Sequence, residues 1–135
     1  MNELRTTLPP GDVDIVLYHG GCIDGLCSLW VARLSLPDVV GIPLSHPLVI
    51  DAALIERISG KCVAMIDIAP ATTGQFDQLR ACTKRFVVLD HHKSQAAILA
   101  GYPHNAFTTD AASGAMLAWE YFRGSRYDAF AIVRY

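Results

Sequence analysis

The apolar residues of this chain fall into short runs that stop abruptly on polar side chains. Val13 to Tyr18 ends on His19, Cys62 to Ile66 ends on Asp67, and Val87 to Leu89 ends on Asp90, with His91 and His92 next. Runs this short, rich in β-branched residues and almost wholly apolar, read as strands buried on both faces of a parallel sheet. Between them the spacing becomes helical. Gly25 opens a helix to about Ser35 that carries Leu26, Leu29, Trp30, Ala32 and Leu34, and Pro37 ends it. Val39–Leu44 reads as a second strand, after which Asp51 caps a helix holding Ala52, Leu54, Ile55 and Ile58 and stopped by Gly60.

The same alternation continues to the end. Strand Cys62–Asp67 leads to a helix begun at Pro70 and Thr72 or Thr73, with Phe76 and Leu79 inward. Strand Arg85–Asp90 leads to a helix over Ser94–Leu99, and a last helix from Asp110 carries Ala115, Leu117, Ala118, Trp119 and Phe122. Pro9-Pro10-Gly11 breaks the chain ahead of the first strand, which sets residues 1–12 apart as a tail and leaves 13–135 as one domain. Strands alternating with helices through short joints specify an α/β fold: a doubly wound, mainly parallel sheet with helices on both faces, Rossmann-like in layout.

Open sheets of this kind take ligands beyond the carboxyl ends of their strands. His19, Asp24, Asp67, Asp90, His91 and His92 should therefore meet at one edge. An Asp-His-His following a strand is, taken alone, as readily a solvated loop. Carboxylates ending neighbouring strands are different, because like charges held together repel unless a cation stands between them. Mixed imidazole and carboxylate donors suit Mn²⁺, Fe²⁺ or Zn²⁺ better than Ca²⁺.

Other readings of these segments explain less. The loop Gly20–Gly25 lacks the G-x-G-x-x-G spacing of a dinucleotide turn, and Asp24 would repel a pyrophosphate. Cys22 with His19 as base would make a nucleophile pair, yet that leaves Asp67 and Asp90-His91-His92 without a role. His46 and His104, each beside a proline, read as surface residues, and Trp30, Trp119, Tyr121 and Phe122 as core. Asp110 to Ala115 has two readings: Asp110 as the cap of the last helix, or a helix N-terminus that takes a phosphate with Ser113 as donor.

Bulk properties narrow the field. The chain has 135 residues, 52% of them hydrophobic, and a mean hydropathy of +0.29, yet no apolar stretch reaches the about 18–20 residues of a membrane span. A polar, proline-ended N-terminus is unlike a secretory signal, so the cytoplasm is the default compartment. A net charge of −2 and a pI near 6.2 speak against a duplex-binding surface. Cys22, Cys27, Cys62 and Cys82 form no C-x-x-C pair and read as reduced thiols. Phe130, Ile132, Val133 and Tyr135 leave the chain ending inside an apolar pattern, which suggests a missing remainder and an uncovered surface prone to self-association.

The ordered set resembles the DHH phosphoesterase superfamily, which includes single-strand exonucleases, nanoRNA and cyclic-dinucleotide phosphodiesterases, and family II pyrophosphatases. Tyr18-His19-Gly20-Gly21-Cys22-Ile23-Asp24-Gly25 looks like its first motif, in the branch with His-x-x-Cys-x-Asp-Gly, Asp67 like the second, and Asp90-His91-His92 like the third. Ser113-Gly114-Ala115 through Trp119-Glu120-Tyr121-Phe122 is similar to the helix that follows, so the likeness covers about residues 13–123. It implies an N-terminal catalytic domain holding two Mn²⁺ ions, with Mg²⁺ or Co²⁺ as substitutes, that activate water for in-line attack on phosphorus.

In that scheme His19, Asp24, Asp67 and His91 are the metal ligands and Asp67 bridges. His92 meets the scissile phosphate or supplies a proton, and Asp90 orients a neighbouring imidazole. The substrate would be a small phosphorylated compound or a short single-stranded oligonucleotide. Two departures stand out. Cys22 occupies a place where many members have another metal-binding Asp, and the chain ends about where a fourth motif with a further Asp would begin. The alternative is accordingly a catalytically weak or inactive truncated domain that serves as a binding module.

Overall fold

The three acid- or imidazole-ended runs become the three central strands of one sheet. The computed structural model describes residues 1–124. Its strands are β1 (Ile15–His19), β2 (Val40–Leu44), β3 (Cys62–Ile66), β4 (Arg85–Asp90) and β5 (Ala106–Thr108). Its helices are α1 (Asn2–Thr7), α2 (Ile23–Ser35), α3 (Ala52–Ile58), α4 (Thr73–Cys82), α5 (Lys93–Leu99) and α6 (Gly114–Arg123). The strand order is β2-β1-β3-β4-β5 and each neighbouring pair is parallel. This is the doubly wound α/β fold with helices on both faces.

Continuous apolar runs are explained by burial on both sides. Val16, Ala64, Ile66, Val87 and Leu89 pack with α1, α2 and α6, while Leu17, Val63, Met65, Phe86 and Val88 pack with α3, α4 and α5. Side chains alternate across a strand, so each run must be apolar at every position to satisfy two cores. The caps follow the expected chemistry: Asp51 accepts from Leu54 N–H and Thr72 from Gln75 N–H, starting α3 and α4.

Register fixes the site. Tyr18 pairs with Ile66 and Ile66 with Leu89, so His19, Asp67 and Asp90 leave the sheet abreast. The order reverses between β1 and β3, because the chain moves outward from β1 to β2 and then returns past it to β3. That reversal opens a crevice at the carboxyl ends of these two strands.

Three expectations need correction, and one strand is added. Residues 1–12 are not a tail: α1 is helical, and Leu4 and Leu8 are 2% and 0% exposed in the core. Arg5 Nε donates to Tyr121 O and the Tyr121 hydroxyl donates to Leu8 O, which ties α1 to α6. β5 carries no run long enough to show as a strand in the sequence. Helix α6 begins at Gly114 with Ser113 as its cap, so Asp110 is not the capping residue. Finally, α2 turns Gly25, Ser28, Leu29 and Ala32 inward, which puts Trp30, expected in the core, on the outer side with Leu26, at 42% and 60% exposure. With 3.6 residues per turn, positions 26, 30 and 34 form a ridge away from 25, 28, 29 and 32.

The segment holding Phe130, Ile132, Val133 and Tyr135 lies outside the described residues. Among those described, no helix is long and apolar enough to cross a membrane.

Candidate metal centre

Asp67 is the hub of the crevice. It follows β3 with a backbone φ of +64°, a left-handed conformation that aspartate tolerates better than most residues. Its N–H still donates to Leu89 O, so the turn is anchored to β4 while the side chain swings into the crevice. The carboxylate, 1% exposed, divides its two oxygens. Oδ2 accepts from the Cys22 thiol at 3.2 Å and lies 3.8 Å from His19 Nδ1, while Oδ1 lies 2.8 Å from His91 Nε2.

Two groups of donor atoms result, each with all members within 4.8 Å of one another: His19, Cys22 and Asp67; and Asp67, Asp90, His91 and His92. Both contain Asp67. Asp24 reaches the second, with Oδ2 3.1 Å from His91 Nε2. The structure thus brings His19, Asp24, Asp67, Asp90, His91 and His92 to one sheet edge, as their positions at the ends of strands imply.

Each neighbour is held from behind. Asp90 Oδ1 accepts from His91 N–H at 2.9 Å and sits 2.7 Å from His92 Nδ1, which fixes the direction of that imidazole. Asp24 accepts from Gly114 N–H and Ala115 N–H, both at 2.9 Å. The amides at the start of α6, considered above for a phosphate, are therefore engaged by a carboxylate of the same chain. Ser113 serves there as the helix cap, its Oγ accepting from Met116 N–H.

Close approach explains two glycines. A Cβ on Gly114 would stand 2.5 Å from Asp67 Cβ, and one on Gly25 would stand 1.9 Å from His19 O. Only glycine lets the N-termini of α6 and α2 come this near the sheet edge.

The electrostatics follow from burial and crowding. Burial, followed by the Asp24 carboxylate, pushes the Asp67 carboxyl up to about 6. Burial, then His46 and His92, holds His19 below the ordinary histidine value and favours the neutral imidazole that can act as a ligand. Burial, opposed by the Gly25 N–H, raises the Cys22 thiol. Asp67, His19 and Cys22 are thus each shifted toward the neutral form, a preference that a bound cation would reverse.

His46 was missed. It is exposed, as expected of a surface residue, but its ring meets the His19 ring edge-on at 5.0 Å between centroids. The signal was its place just past β2, the strand beside β1, where a loop at the carboxyl edge returns over the crevice. His104 lies elsewhere, exposed and paired with Glu3. All four cysteines are free thiols.

No family model matches the chain. It is 30% identical over 124 residues to the uncharacterized protein R106 of Acanthamoeba polyphaga mimivirus, an alignment that takes in 82% of this chain and 29% of that protein. The chain thus spans less than a third of the length of this relative.

Proposed function

We propose that this chain is the catalytic domain of a divalent-metal-dependent phosphohydrolase of the DHH phosphoesterase type. It hydrolyses a phosphoester or phosphodiester in a small phosphorylated compound or a short single-stranded oligonucleotide. The observation that carries the reading is the divided carboxylate of Asp67, with one oxygen facing His19 and the other facing His91. A carboxylate 1% exposed, raised toward its neutral form and ringed by imidazoles, suits a bridge between two cations better than a packing role.

The donors present fit Mn²⁺. His19 and one oxygen of Asp67 would hold one ion; His91, Asp24 and the other oxygen would hold the second. Mn²⁺ in such a pair supplies charge to offset the phosphate and lowers the pKa of water. The remaining work belongs to the chain's own groups. Asp90 fixes His92 through Nδ1, leaving Nε2 free to turn toward a leaving-group oxygen and donate a proton there. The N-terminus of α6 holds Asp24 in place through two N–H groups. Beside Cys22, a groove lined by Tyr18, Gly20, Gly21, Ile23, Leu26 and Pro43 offers a largely apolar bed for the organic part of a substrate.

Hydrolysis of bis-p-nitrophenyl phosphate, with Mn²⁺ and with chelator, tests the chemistry, and calorimetric Mn²⁺ titration of the wild type and Asp67→Ala tests the site. Mn²⁺-dependent turnover and binding that Asp67→Ala abolishes are expected. Mn²⁺ affinity unchanged in Asp67→Ala would remove Asp67 as bridge and the two-metal reading with it. Binding without turnover of this or any phosphoester would instead favour a domain that binds without catalysing.

A further inference from the structure

We propose that the group formed by His19, Cys22 and Asp67 is a thiolate-containing site that selects Zn²⁺ over Mn²⁺, so that the two halves of the centre prefer different metals. The proposal rests on the two-metal reading above and concerns the half nearest α2. The donor chemistry of the halves differs. Around Asp90, His91 and His92 the donors are oxygen and nitrogen, whereas the other group adds sulfur. Thiolate is a soft ligand that favours zinc and disfavours manganese.

The spacing also fits. Cys22 Sγ lies 3.3 Å from His19 Nδ1 and 3.2 Å from Asp67 Oδ2, and the last two atoms are 3.8 Å apart. A tetrahedral zinc ion, with bonds of about 2.3 Å to sulfur and about 2.0–2.2 Å to nitrogen and oxygen, sets its donors about 3.4–3.6 Å apart. Modest adjustment of three side chains closes the site.

Capping does not account for the residue. Cys22 is the N-cap of α2, with Sγ accepting from Gly25 N–H at 3.2 Å, yet Ser, Thr, Asp or Asn would cap better. The same N–H and the positive end of a 13-residue helix would support a sulfur that has lost its proton on binding an ion. On binding, the Cys22 S–H bond breaks, the zinc–sulfur bond forms and the proton passes to solvent. No electron changes hands.

Co²⁺, the spectroscopic stand-in for zinc, gives a near-ultraviolet sulfur-to-cobalt charge-transfer band only if sulfur is a ligand. The full chain is titrated with Co²⁺, and Zn²⁺ and Mn²⁺ affinities are measured by competition, for the wild type, Cys22→Ser and Cys22→Asp. Both variants keep a capping oxygen, so α2 is retained. The expected results are a charge-transfer band in the wild type, its loss in Cys22→Ser, and a fall of at least about tenfold in zinc-over-manganese preference in Cys22→Asp. No band in the wild type, or a band that persists in Cys22→Ser through another thiol, overturns the proposal. An unchanged metal preference, with Mn²⁺ binding still abolished by Asp67→Ala, overturns it while leaving the two-metal reading intact. Failure of the wild type to bind any of the three ions defeats both.

Discussion

Asp67 combines a left-handed backbone, near-complete burial and a carboxyl raised to about 6 by burial and by Asp24. The raised value makes stability depend on pH. Because the folded state holds this proton more tightly than the unfolded chain, the contribution is fully present below about pH 4 and lost as pH rises through about 6. A displacement of about 2 pH units corresponds to about 3 kcal/mol. Asp67→Asn cannot ionise, so in chelator its melting temperature should pull ahead of the wild type's between pH 4 and 7. Melting curves whose separation stays constant across that range would show that the carboxyl is not perturbed. Residues of this kind were legible because each ends an apolar run. His46 and the pairing of Asp24 with Gly114 and Ala115 were not, since both contacts come from chain segments far from their partners in sequence.

At the scale of elements, the central strands and most caps could be read directly, because two-sided burial and capping each leave a local pattern. Failures came where tertiary packing decided. Leu4 and Leu8 are ordinary apolar residues in a polar stretch, and only tertiary packing over the sheet beside α6 makes them core. Helix α2 is apolar on two sides, and periodicity alone does not say which side meets the sheet. Gly25 settles it, because its missing Cβ is what lets α2 approach β1. Gly25→Ala should therefore cost well over 3 kcal/mol or prevent folding, since the new methyl meets backbone at 1.9 Å rather than a movable side chain. Gly60→Ala has open space and only a left-handed backbone of +71°, so about 1–2 kcal/mol is expected. Denaturant unfolding of both variants checks the ranking, and equal losses would refute close approach as the reason for Gly25. Ser113→Ala, which removes the α6 cap, should cost about 1 kcal/mol in the same assay.

For the whole molecule, the order β2-β1-β3-β4-β5 converts separate strand ends into one centre. Parallel strands deliver every carboxyl terminus to the same edge, and the reversal between β1 and β3 clears the space into which His19 and Asp67 project. The convergence was legible because it follows from topology; the identity of the substrate was not, because no strand end encodes it. A centre assembled from three separate segments also couples metal binding to folding. The unfolded chain separates His19, Asp67 and His91 along the sequence, so an ion binds the native state far better than the unfolded one. At a free Mn²⁺ concentration about 100 times the dissociation constant, the gain is about 2.7 kcal/mol, or roughly 10 °C in melting temperature for a domain of this size. The same addition should leave Asp67→Ala unmoved, even though deleting one of the crowded carboxylates makes its metal-free form at least as stable as the wild type. Calorimetric melts of both proteins with Mn²⁺ and with chelator measure the two effects together. An equal Mn²⁺-dependent rise in wild type and variant would place the ion somewhere other than this edge, and no rise in either would mean that the clustered side chains hold no metal.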